Sequence, residues 1–261
     1  KNLFLNSYLK ENFNPYLTTN KFTLFHTHIM NTTTRTLIKA YNTGVTEEYE
    51  RLDSPSGRAE FQQVCHIINQ QLDPYLTMID IGSGPGRYAE HFLHQGHFVG
   101  CVDIASHSLE VFDQRLRPSL KPNLIFNQQS CASQLDWIPD QIADSILLMG
   151  PLYHLTSVLN RAIVYRHCSR ILKSNGNLYV MYLNTRNDVE TNYKHQNRIN
   201  SDYQNITRTI FQGFMVKQYR LNPKAAKEEA EPFFKVQAIH AIAEQENQPQ
   251  PLLHNAGQYL V

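Results

Sequence analysis

The chain has 261 residues, and its 24 lysines and arginines nearly balance 23 aspartates and glutamates, leaving a formal net charge of +1. With 41% hydrophobic and 18% charged residues it has the composition of a globular protein, and its length fits one large α/β domain. The balanced charge argues against a protein held mainly on nucleic-acid phosphates, and no apolar stretch reaches the roughly 18–20 residues of a membrane span. Four scattered cysteines are typical of reduced thiols in a cytoplasmic protein: Cys65, Cys101, Cys131 and Cys168.

The chain begins with Lys1, and its first methionine is Met30. Residues 1–29 show no clear hydrophobic period, so we expect a poorly ordered leader or upstream read-through there, with the working protein starting near Met30. We expect the remainder to form one domain with a lid segment at 30–57, a core at 58–183, a polar cap at 184–215 and a C-terminal helix with strands at 216–261.

Helical and strand-like patterns alternate through the core. Four helices are predicted in the core. The first covers about residues 58–72, the second covers 87–95 with Gly96 as C-cap, the third starts after Ser106 as N-cap, and the fourth ends at Asn175-Gly176. The predicted strands cover 76–81, 98–104, 123–127, 144–149 and 178–183. After the cap we predict a strand at 216–221, a helix opened by Asn222-Pro223, a sixth strand at 234–243 and an unassigned tail that could hold a seventh. Such βαβ units predict a doubly wound α/β fold with a mostly parallel sheet.

The clearest chemical signal is the glycine-rich segment Asp80-Ile-Gly-Ser-Gly-Pro-Gly86, which follows the first core strand. Glycines let the backbone turn tightly and let a ligand approach the main chain, and the following helix offers free N–H groups. Dinucleotide-binding loops read G-x-G-x-x-G, but here Arg87 takes the position of the third glycine. The loop is therefore built differently from a pyrophosphate site.

An acidic residue, Asp103, ends the next strand, 21 residues after Gly82. A carboxylate at that place can accept hydrogen bonds from both ribose hydroxyls of an adenosine ligand. The alternative role of Asp103, capping the next helix, is weaker because Ser106 is expected to supply a cap. Together the loop and Asp103 predict an adenosine-containing cofactor at the carboxyl ends of the strands.

With these motifs the sequence resembles the class I S-adenosylmethionine-dependent methyltransferases, over roughly residues 41–184 and more loosely over 216–243. The most specific piece, Leu147-Leu-Met-Gly-Pro-Leu-Tyr-His-Leu155, resembles a strand-four signature of bacterial small-molecule enzymes related to quinone-biosynthesis methyltransferases. The segment from Tyr41 to Arg51 resembles the lid that folds over the cofactor in that family. The resemblance implies a Rossmann-like methyltransferase sheet with a small cap after strand five, and S-adenosyl-L-methionine as cofactor.

The resemblance also implies cofactor contacts for individual residues. The loop that holds the methionine part of the cofactor corresponds to Asp80, Gly82, Ser83, Gly84 and Gly86. Asp103 corresponds to the residue that holds the ribose, with Ile104 beside the adenine. The family usually has an acid after strand three that meets the adenine amino group, but here the chain reads Gln128-Gln-Ser-Cys-Ala132, so Ser130, Cys131 or a backbone group would make that contact. The remaining predicted cofactor contacts are Met149 and Tyr49.

Two neighbouring residues are the candidates for catalysis, His154 and Tyr153. The methyl sulfonium is already activated, so the protein mainly aligns the acceptor and excludes water. If the acceptor is a hydroxyl or an acidic carbon, a base helps, and the imidazole of His154 titrates near neutral pH. Tyr153, with Tyr41 and Tyr49, could present an aromatic face to the cationic sulfonium. The alternative for His154 is a helix-start histidine bonded to backbone, and both interpretations stay open.

Two further patterns weigh against other chemistries. Methyltransferases that act on the amino groups of nucleobases carry Asn/Asp-Pro-Pro-Tyr where this chain has Gly150-Pro-Leu-Tyr153, and Gly150 has no side chain to accept from an amine. His91, His94 and His97 form an H-x-x-H-x-x-H pattern that straddles a helix end, so we interpret them as surface histidines and predict no metal.

The sequence thus predicts a cytoplasmic enzyme that methylates a small-molecule acceptor and releases S-adenosylhomocysteine, with neither nucleic acid nor membrane as partner. Three alternatives stay open: an NAD-dependent oxidoreductase, a non-catalytic module that binds an adenosyl cofactor, and an RNA methyltransferase. The attacking atom of the acceptor and the oligomeric state are left open as well.

Overall fold

The protein is described by a computed structural model over residues 32–184 and 206–242, and by its backbone at residues 258–260. The leader predicted at 1–29 and most of the cap predicted at 184–215 lie outside these described residues. The helices are α1 (Thr32–Thr43), α2 (Val45–Arg51), α3 (Pro55–Asn69), α4 (Arg87–His94), α5 (Ser106–Arg115), α6 (Val158–Ile171) and α7 (Pro223–Ala230). The strands are β1 (Thr77–Ile81), β2 (Phe98–Asp103), β3 (Leu124–Gln129), β4 (Ala143–Leu148), β5 (Leu172–Leu183), β6 (Ile206–Phe211), β7 (Phe214–Tyr219), β8 (His240–Ile242) and β9 (Gln258–Leu260).

The central sheet carries a crevice at the carboxyl end of β1. Within the described residues, seven strands are hydrogen-bonded in the order β3-β2-β1-β4-β5-β9-β8. Strands β1 to β5 pair in parallel, whereas β9 is antiparallel to both β5 and β8. The chain leaves β1 for β2 on one side and returns to β4 on the other, so the connections diverge between β1 and β4. Ligands bind at such switch points in open α/β sheets.

Helices cover both faces of the sheet, as the doubly wound prediction requires. All five residues of β1 are buried, and its side chains alternate between two cores. Ile79 and Ile81 belong to the core that contains Val164 of α6, while Met78 belongs to the core with Ile68 of α3 and its neighbours. Burial on both faces explains why these strands read as continuous apolar runs. The predicted fold is therefore confirmed.

Two of the predicted boundaries in the core are wrong. Helix α5 has Ala105 at its N-cap position, no side chain caps it, and Ser106 is already its first helical residue. Helix α6 ends at Ile171 rather than at Asn175-Gly176, because β5 starts at Leu172 and pairs there with Ala143. Gly176 lies inside β5, where a Cβ atom would stand 2.7 Å from Leu172 Cδ2. The glycine thus serves close packing in a strand and does not end a helix.

The C-terminal part departs further from the predicted elements. The predicted strand at 216–221 is β7, and it forms a two-stranded hairpin with β6 outside the central sheet. Gln212 and Gly213 connect the two strands with positive φ angles of 51° and 78°, as a two-residue hairpin turn requires. The predicted sixth strand shrinks to β8, because the apolar residues at 233–239 pack irregularly against the core instead of pairing. The unassigned tail contributes β9, between β5 and β8.

A buried ion pair ties α7 to the sheet domain. Arg161 is 1% exposed, and its guanidinium donates two hydrogen bonds of 2.8 Å to the carboxylate of Glu229. It also donates to the carbonyl of Leu155 and lies over the ring of Tyr219. Removing the counter-ion of a charge that is buried in this way destabilises the folded protein.

We expect Glu229→Ala to lower the free energy of unfolding by about 3 kcal/mol, because a buried guanidinium would lose its counter-ion while keeping its other contacts. Urea unfolding followed by circular dichroism measures this change. Glu228→Ala, which removes a neighbouring exposed carboxylate that is paired with Lys224, is the matched control and should be nearly neutral. Equal midpoints for the two variants would contradict the prediction.

Candidate active site

A cleft of about 980 Å³, its open mouth included, lies at the carboxyl ends of β1, β2 and β4. Its walls come from the loops after these strands and after β3, and helices α1 and α2 contribute Leu37, Tyr41, Glu48 and Arg51. Ten of the predicted site residues line this cleft: Gly82, Ser83, Gly84, Asp103, Ile104, Ser130, Cys131, Met149, Tyr153 and His154.

The loop after β1 is held by backbone hydrogen bonds, and two of its glycines have positive φ angles that favour glycine. The N–H groups of Gly82 and Ser83 donate to the carbonyl of Val102, over 2.7 and 3.0 Å. Gly82 has a φ of 79°, and a Cβ atom there would stand 2.5 Å from Pro151 Cγ. At Gly84, whose φ is 52°, a Cβ atom would meet nothing within 4 Å. The main chain at Gly84 is therefore open to a ligand.

The carboxylate of Asp103 is anchored on both of its oxygens. Oδ2 accepts from the N–H of Gly84 over 2.7 Å, and Oδ1 accepts from the N–H of Ala105 over 2.7 Å. Asp103 therefore serves the turn before α5, the role that the sequence assigned to Ser106. Burial raises the pKa of Asp103 to about 6, although these backbone donors oppose the shift. Each oxygen keeps a lone pair that could accept from a ligand hydroxyl.

Three of the residues predicted to contact a cofactor do not line the cleft. Asp80 is 1% exposed beneath the loop, and its Oδ2 makes no hydrogen bond with the described residues. Burial, and secondarily the charge of Asp103, raise the pKa of Asp80 to about 7. Gly86 begins α4 with a φ of 79° and faces the ring of Phe112. Tyr49 lies outside the cleft, where the guanidinium groups of two arginines flank its ring.

These two arginines fasten α2 to the glycine loop. Arg115 lies 3.9 Å from the ring centroid of Tyr49 and donates to the carbonyl of Pro85 over 2.7 Å. Arg87, the residue at the third-glycine position, lies 4.6 Å from the same ring and pairs with Asp53. Tyr49 thus takes part in the contact between α2 and the glycine loop and does not line the cleft.

The loops after β2 and β3 meet where the sequence predicts the adenine. Ser130 is buried, its N–H donates to the carbonyl of Asp103, and its hydroxyl donates to the carbonyl of Gln134 over 2.8 Å. The Cys131 thiol lies 3.2 Å from the Ser133 hydroxyl. The proton of the Ser130 hydroxyl is thus already donated within the protein, and Cys131 and the backbone of this loop are the other candidates for a ligand contact.

A short 3₁₀ turn after β4, Leu152–His154, carries both candidate catalytic residues. His154 Nε2 lies 2.7 Å from the hydroxyl oxygen of Tyr41, and Nδ1 lies 3.3 Å from the carbonyl oxygen of Lys217 in β7. Desolvation lowers the pKa of His154 to about 4, so its ring is neutral at physiological pH. Burial raises the pKa of Tyr153 above its ordinary value, so its hydroxyl keeps its proton. The backbone bond of His154 and its place in the cleft, which the sequence presented as alternatives, occur together.

The sequence assigned Tyr41 to a lid and missed its bond to His154. The two residues are separated by 113 positions, and no local pattern links them. It also missed Glu48 as a lining residue, paired with Arg51, which binds Glu60 as well. The interpretation of the three histidines as surface residues is wrong for His97, which is buried beyond the end of α4 and accepts from the N–H of Leu76. His94 is exposed and contacts Arg117. In the described ranges, no group of three or more His, Cys, Asp or Glu side chains could hold a metal ion.

Comparison with known proteins fits this geometry. Residues 79–180 match a protein family described as a methyltransferase domain. Among solved structures, the PH0226 protein of Pyrococcus horikoshii OT3 is 17% identical, with a TM-score of 0.64 over 82% of this chain and 96% of that chain. A SAM-dependent methyltransferase of Methanosarcina mazei is 16% identical, with a TM-score of 0.59 over 74% of this chain and 93% of that one. The DhpI–SAM–HEP complex is 14% identical, with a TM-score of 0.60 and coverages of 88% and 97%.

The match at residues 79–180 indicates a methyltransferase domain in that part of the chain, and the solved structures share its fold. They indicate S-adenosylmethionine as the cofactor, and the residues present fit it: the main chain is open at Gly84, and an anchored carboxylate ends β2. No curated protein matches the chain significantly. Over the part of the chain that the structure describes, no helix has the length and apolarity needed to cross a membrane.

Proposed function

We propose that this protein transfers the methyl group of S-adenosylmethionine to a small-molecule acceptor and releases S-adenosylhomocysteine. The observation that carries the proposal is the carboxylate of Asp103, which two backbone N–H groups fix in the cleft beside the open main chain of Gly84. A fixed carboxylate at the end of the second strand can accept hydrogen bonds from the two hydroxyls of a ribose.

We assign the cofactor contacts accordingly. Gly82, Ser83 and Gly84 contact the methionine part, Asp103 the ribose, and Ile104 the adenine. Cys131 and the backbone at Ser130 meet the adenine edge, and Met149 lies against the cofactor from β4. Asp80 and Gly86 support the loop from behind, and Tyr49 holds the lid through Arg87 and Arg115. These last three residues therefore act without touching the cofactor, which refines the roles predicted for them.

The proposed chemistry asks little of the protein beyond alignment. When bound, S-adenosylmethionine supplies a methyl group that is already activated for transfer. The lid residues of α1 and α2 shield the cleft from water, and the aromatic rings of Tyr41 and Tyr153 can face the sulfonium charge. His154, neutral and placed in the cleft, is our candidate base.

A small acceptor fits the charges around the cleft better than a nucleic acid. Arg51 is paired with Glu48 and Glu60, and Arg87 with Asp53, so these cations are compensated rather than arrayed for phosphates. We also propose that the protein is related to the bacterial quinone-biosynthesis methyltransferases, because residues 147–155 resemble a signature of that branch. Free cysteines at all four positions, three of them buried, favour a reducing compartment and hence the cytoplasm.

Titration calorimetry with S-adenosylhomocysteine, with NADH as the comparison ligand, tests the cofactor part of the proposal. We expect S-adenosylhomocysteine alone to bind, and Asp103→Ala to weaken it about 10- to 100-fold, because charge-assisted hydrogen bonds to a carboxylate contribute about 1.5–3 kcal/mol. Asp113→Ala, on an exposed face of α5, is the matched control and should leave affinity unchanged.

Loss of the anchored carboxylate could also disturb the loop, so Asp103→Asn is measured in parallel. It keeps the shape of the side chain and one acceptor oxygen, so it can retain one of the two backbone hydrogen bonds, and we expect an intermediate affinity and an unfolding midpoint between those of the wild type and Asp103→Ala. Binding of NADH, or equal affinities for S-adenosylhomocysteine in the wild type and a folded Asp103→Ala, would refute the assigned site. Formation of S-adenosylhomocysteine from S-adenosylmethionine with candidate small molecules then tests the transfer itself.

A further inference from the structure

The hydrogen bonds of His154 define where its proton sits. The carbonyl oxygen of Lys217 can only accept, so Nδ1 carries the proton of the neutral ring and donates it over 3.3 Å. Nε2 is then an acceptor, and the hydroxyl of Tyr41, 2.7 Å away, must be the donor. The ring of Tyr41 meets that of His154 edge to face at 5.4 Å, which fixes the pair further.

The hydroxyl of Tyr41 is left with lone pairs and no proton to offer. Its one proton is directed at Nε2, so any further partner has to donate to it. Tyr41 and His154 both line the cleft, beside Tyr153 and Gly150. The charged and titratable groups that act on Tyr41 are Tyr153, Glu48, Asp103 and Arg51, and burial raises its pKa well above the ordinary value. The tyrosine therefore stays protonated and acts as an acceptor of hydrogen bonds.

We propose that Tyr41 and His154 form a proton-accepting pair for an uncharged hydroxyl, so that the acceptor is an alcohol or a phenol and the product a methyl ether. This inference rests on the proposed methyl transfer and narrows it to oxygen. A carboxylic acid is already ionised at neutral pH and needs no base. The pair offers one acceptor, Tyr41 Oη, and Gly150 has no side chain to accept the second proton that a primary amine would bring.

The acceptor oxygen forms a bond to the methyl carbon while the bond between that carbon and the sulfonium breaks, and its electron pair stays on sulfur. The hydroxyl proton of the acceptor passes to Tyr41 Oη as the proton of Tyr41 passes to His154 Nε2. The resulting imidazolium keeps its Nδ1–H on Lys217 and later releases its extra proton to solvent. A protonated ether is a far stronger acid than an imidazolium, so even a histidine of lowered pKa can accept this proton.

Two model compounds that differ only in the hydroxyl test the pair. The full chain saturated with S-adenosylhomocysteine is titrated with phenol and with toluene, and we expect phenol to bind about five- to tenfold more tightly, the contribution of one hydrogen bond. Tyr41→Phe should bring the two affinities within about twofold. The matched control is Tyr75→Phe, an exposed tyrosine before β1, which should keep the preference.

A second variant separates the proton acceptor from the contact. His154→Gln can still accept from Tyr41 but cannot take its proton, so we expect the preference for phenol to survive. The rate at which phenol promotes S-adenosylhomocysteine formation should fall about 10²-fold or more in both Tyr41→Phe and His154→Gln. Equal affinities for phenol and toluene in the wild type, an unchanged preference in Tyr41→Phe, or wild-type rates in both variants would overturn the inference. Failure of the wild type to bind S-adenosylhomocysteine would instead overturn the proposed function.

Discussion

Replacing Gly86 with alanine should lower the free energy of unfolding by about 4 kcal/mol and abolish cofactor binding. Gly86 has a φ of 79°, a left-handed conformation that costs a residue with a Cβ about 1–2 kcal/mol. The new Cβ would also stand 2.2 Å from Cδ2 of Phe112, a fully buried ring of α5. Either the ring or the start of α4 must move, and both position the loop that offers its main chain to the cofactor.

Gly84 allows the cost of backbone strain to be measured without a steric clash. Gly84→Ala introduces the same left-handed strain at a φ of 52° but meets no atom within 4 Å, so its cost should be only about 1 kcal/mol. Because Gly84 faces the open cleft, this variant should weaken S-adenosylhomocysteine while leaving the protein folded. Urea midpoints and calorimetric affinities for both variants check the pair. If Gly86→Ala proves as stable as Gly84→Ala, the packing argument against Phe112 is wrong.

The features that the sequence predicted are those that local chemistry determines. The glycine loop after a buried strand and the acid at the end of the next strand are each recognised from a few consecutive residues. The parallel sheet brings these two motifs together whatever the rest of the chain does. The Ser106 cap failed for an equally local reason: the carboxylate of Asp103 accepts from the N–H of Ala105, and the helix begins at Ser106, one residue earlier than a serine cap would place it.

The features that the sequence missed depend on distant segments. The bond between Tyr41 and His154 joins α1 to the turn after β4, and β7 completes it through the Lys217 carbonyl. Phe211 of the β6–β7 hairpin packs on Tyr41 at 5.1 Å between ring centroids. Which side chains meet there depends on how three separate elements pack, and single-sequence periodicity carries no such information. The hydrophobic residues at 234–239 were wrongly predicted to form a strand, because apolar residues can be buried against the core without pairing with another strand.

A second large effect should come from Asp80→Asn, which we expect to stabilise the cofactor-free protein at pH 8 by about 2–4 kcal/mol. Burial and the nearby charge of Asp103 raise the pKa of Asp80 from 3.8 to about 7. The native state therefore holds this proton more tightly than the unfolded state does. The native protein binds more protons between about pH 4 and 7, so its stability falls as the pH rises through that window. Asparagine has no proton to lose, so the variant should escape that loss.

The comparison of pH values makes this prediction specific to ionisation. Near pH 4 the protonated wild type and Asp80→Asn should have similar unfolding midpoints in urea, and their difference should grow up to pH 8. Asp113→Asn removes an exposed carboxylate and should follow the wild type at every pH. Parallel curves for wild type and Asp80→Asn would show that the buried carboxyl ionises as freely as an exposed one. S-adenosylmethionine carries positive charge, which favours the ionised forms of Asp80 and Asp103, so a saturating concentration should reduce the wild-type loss of stability at high pH.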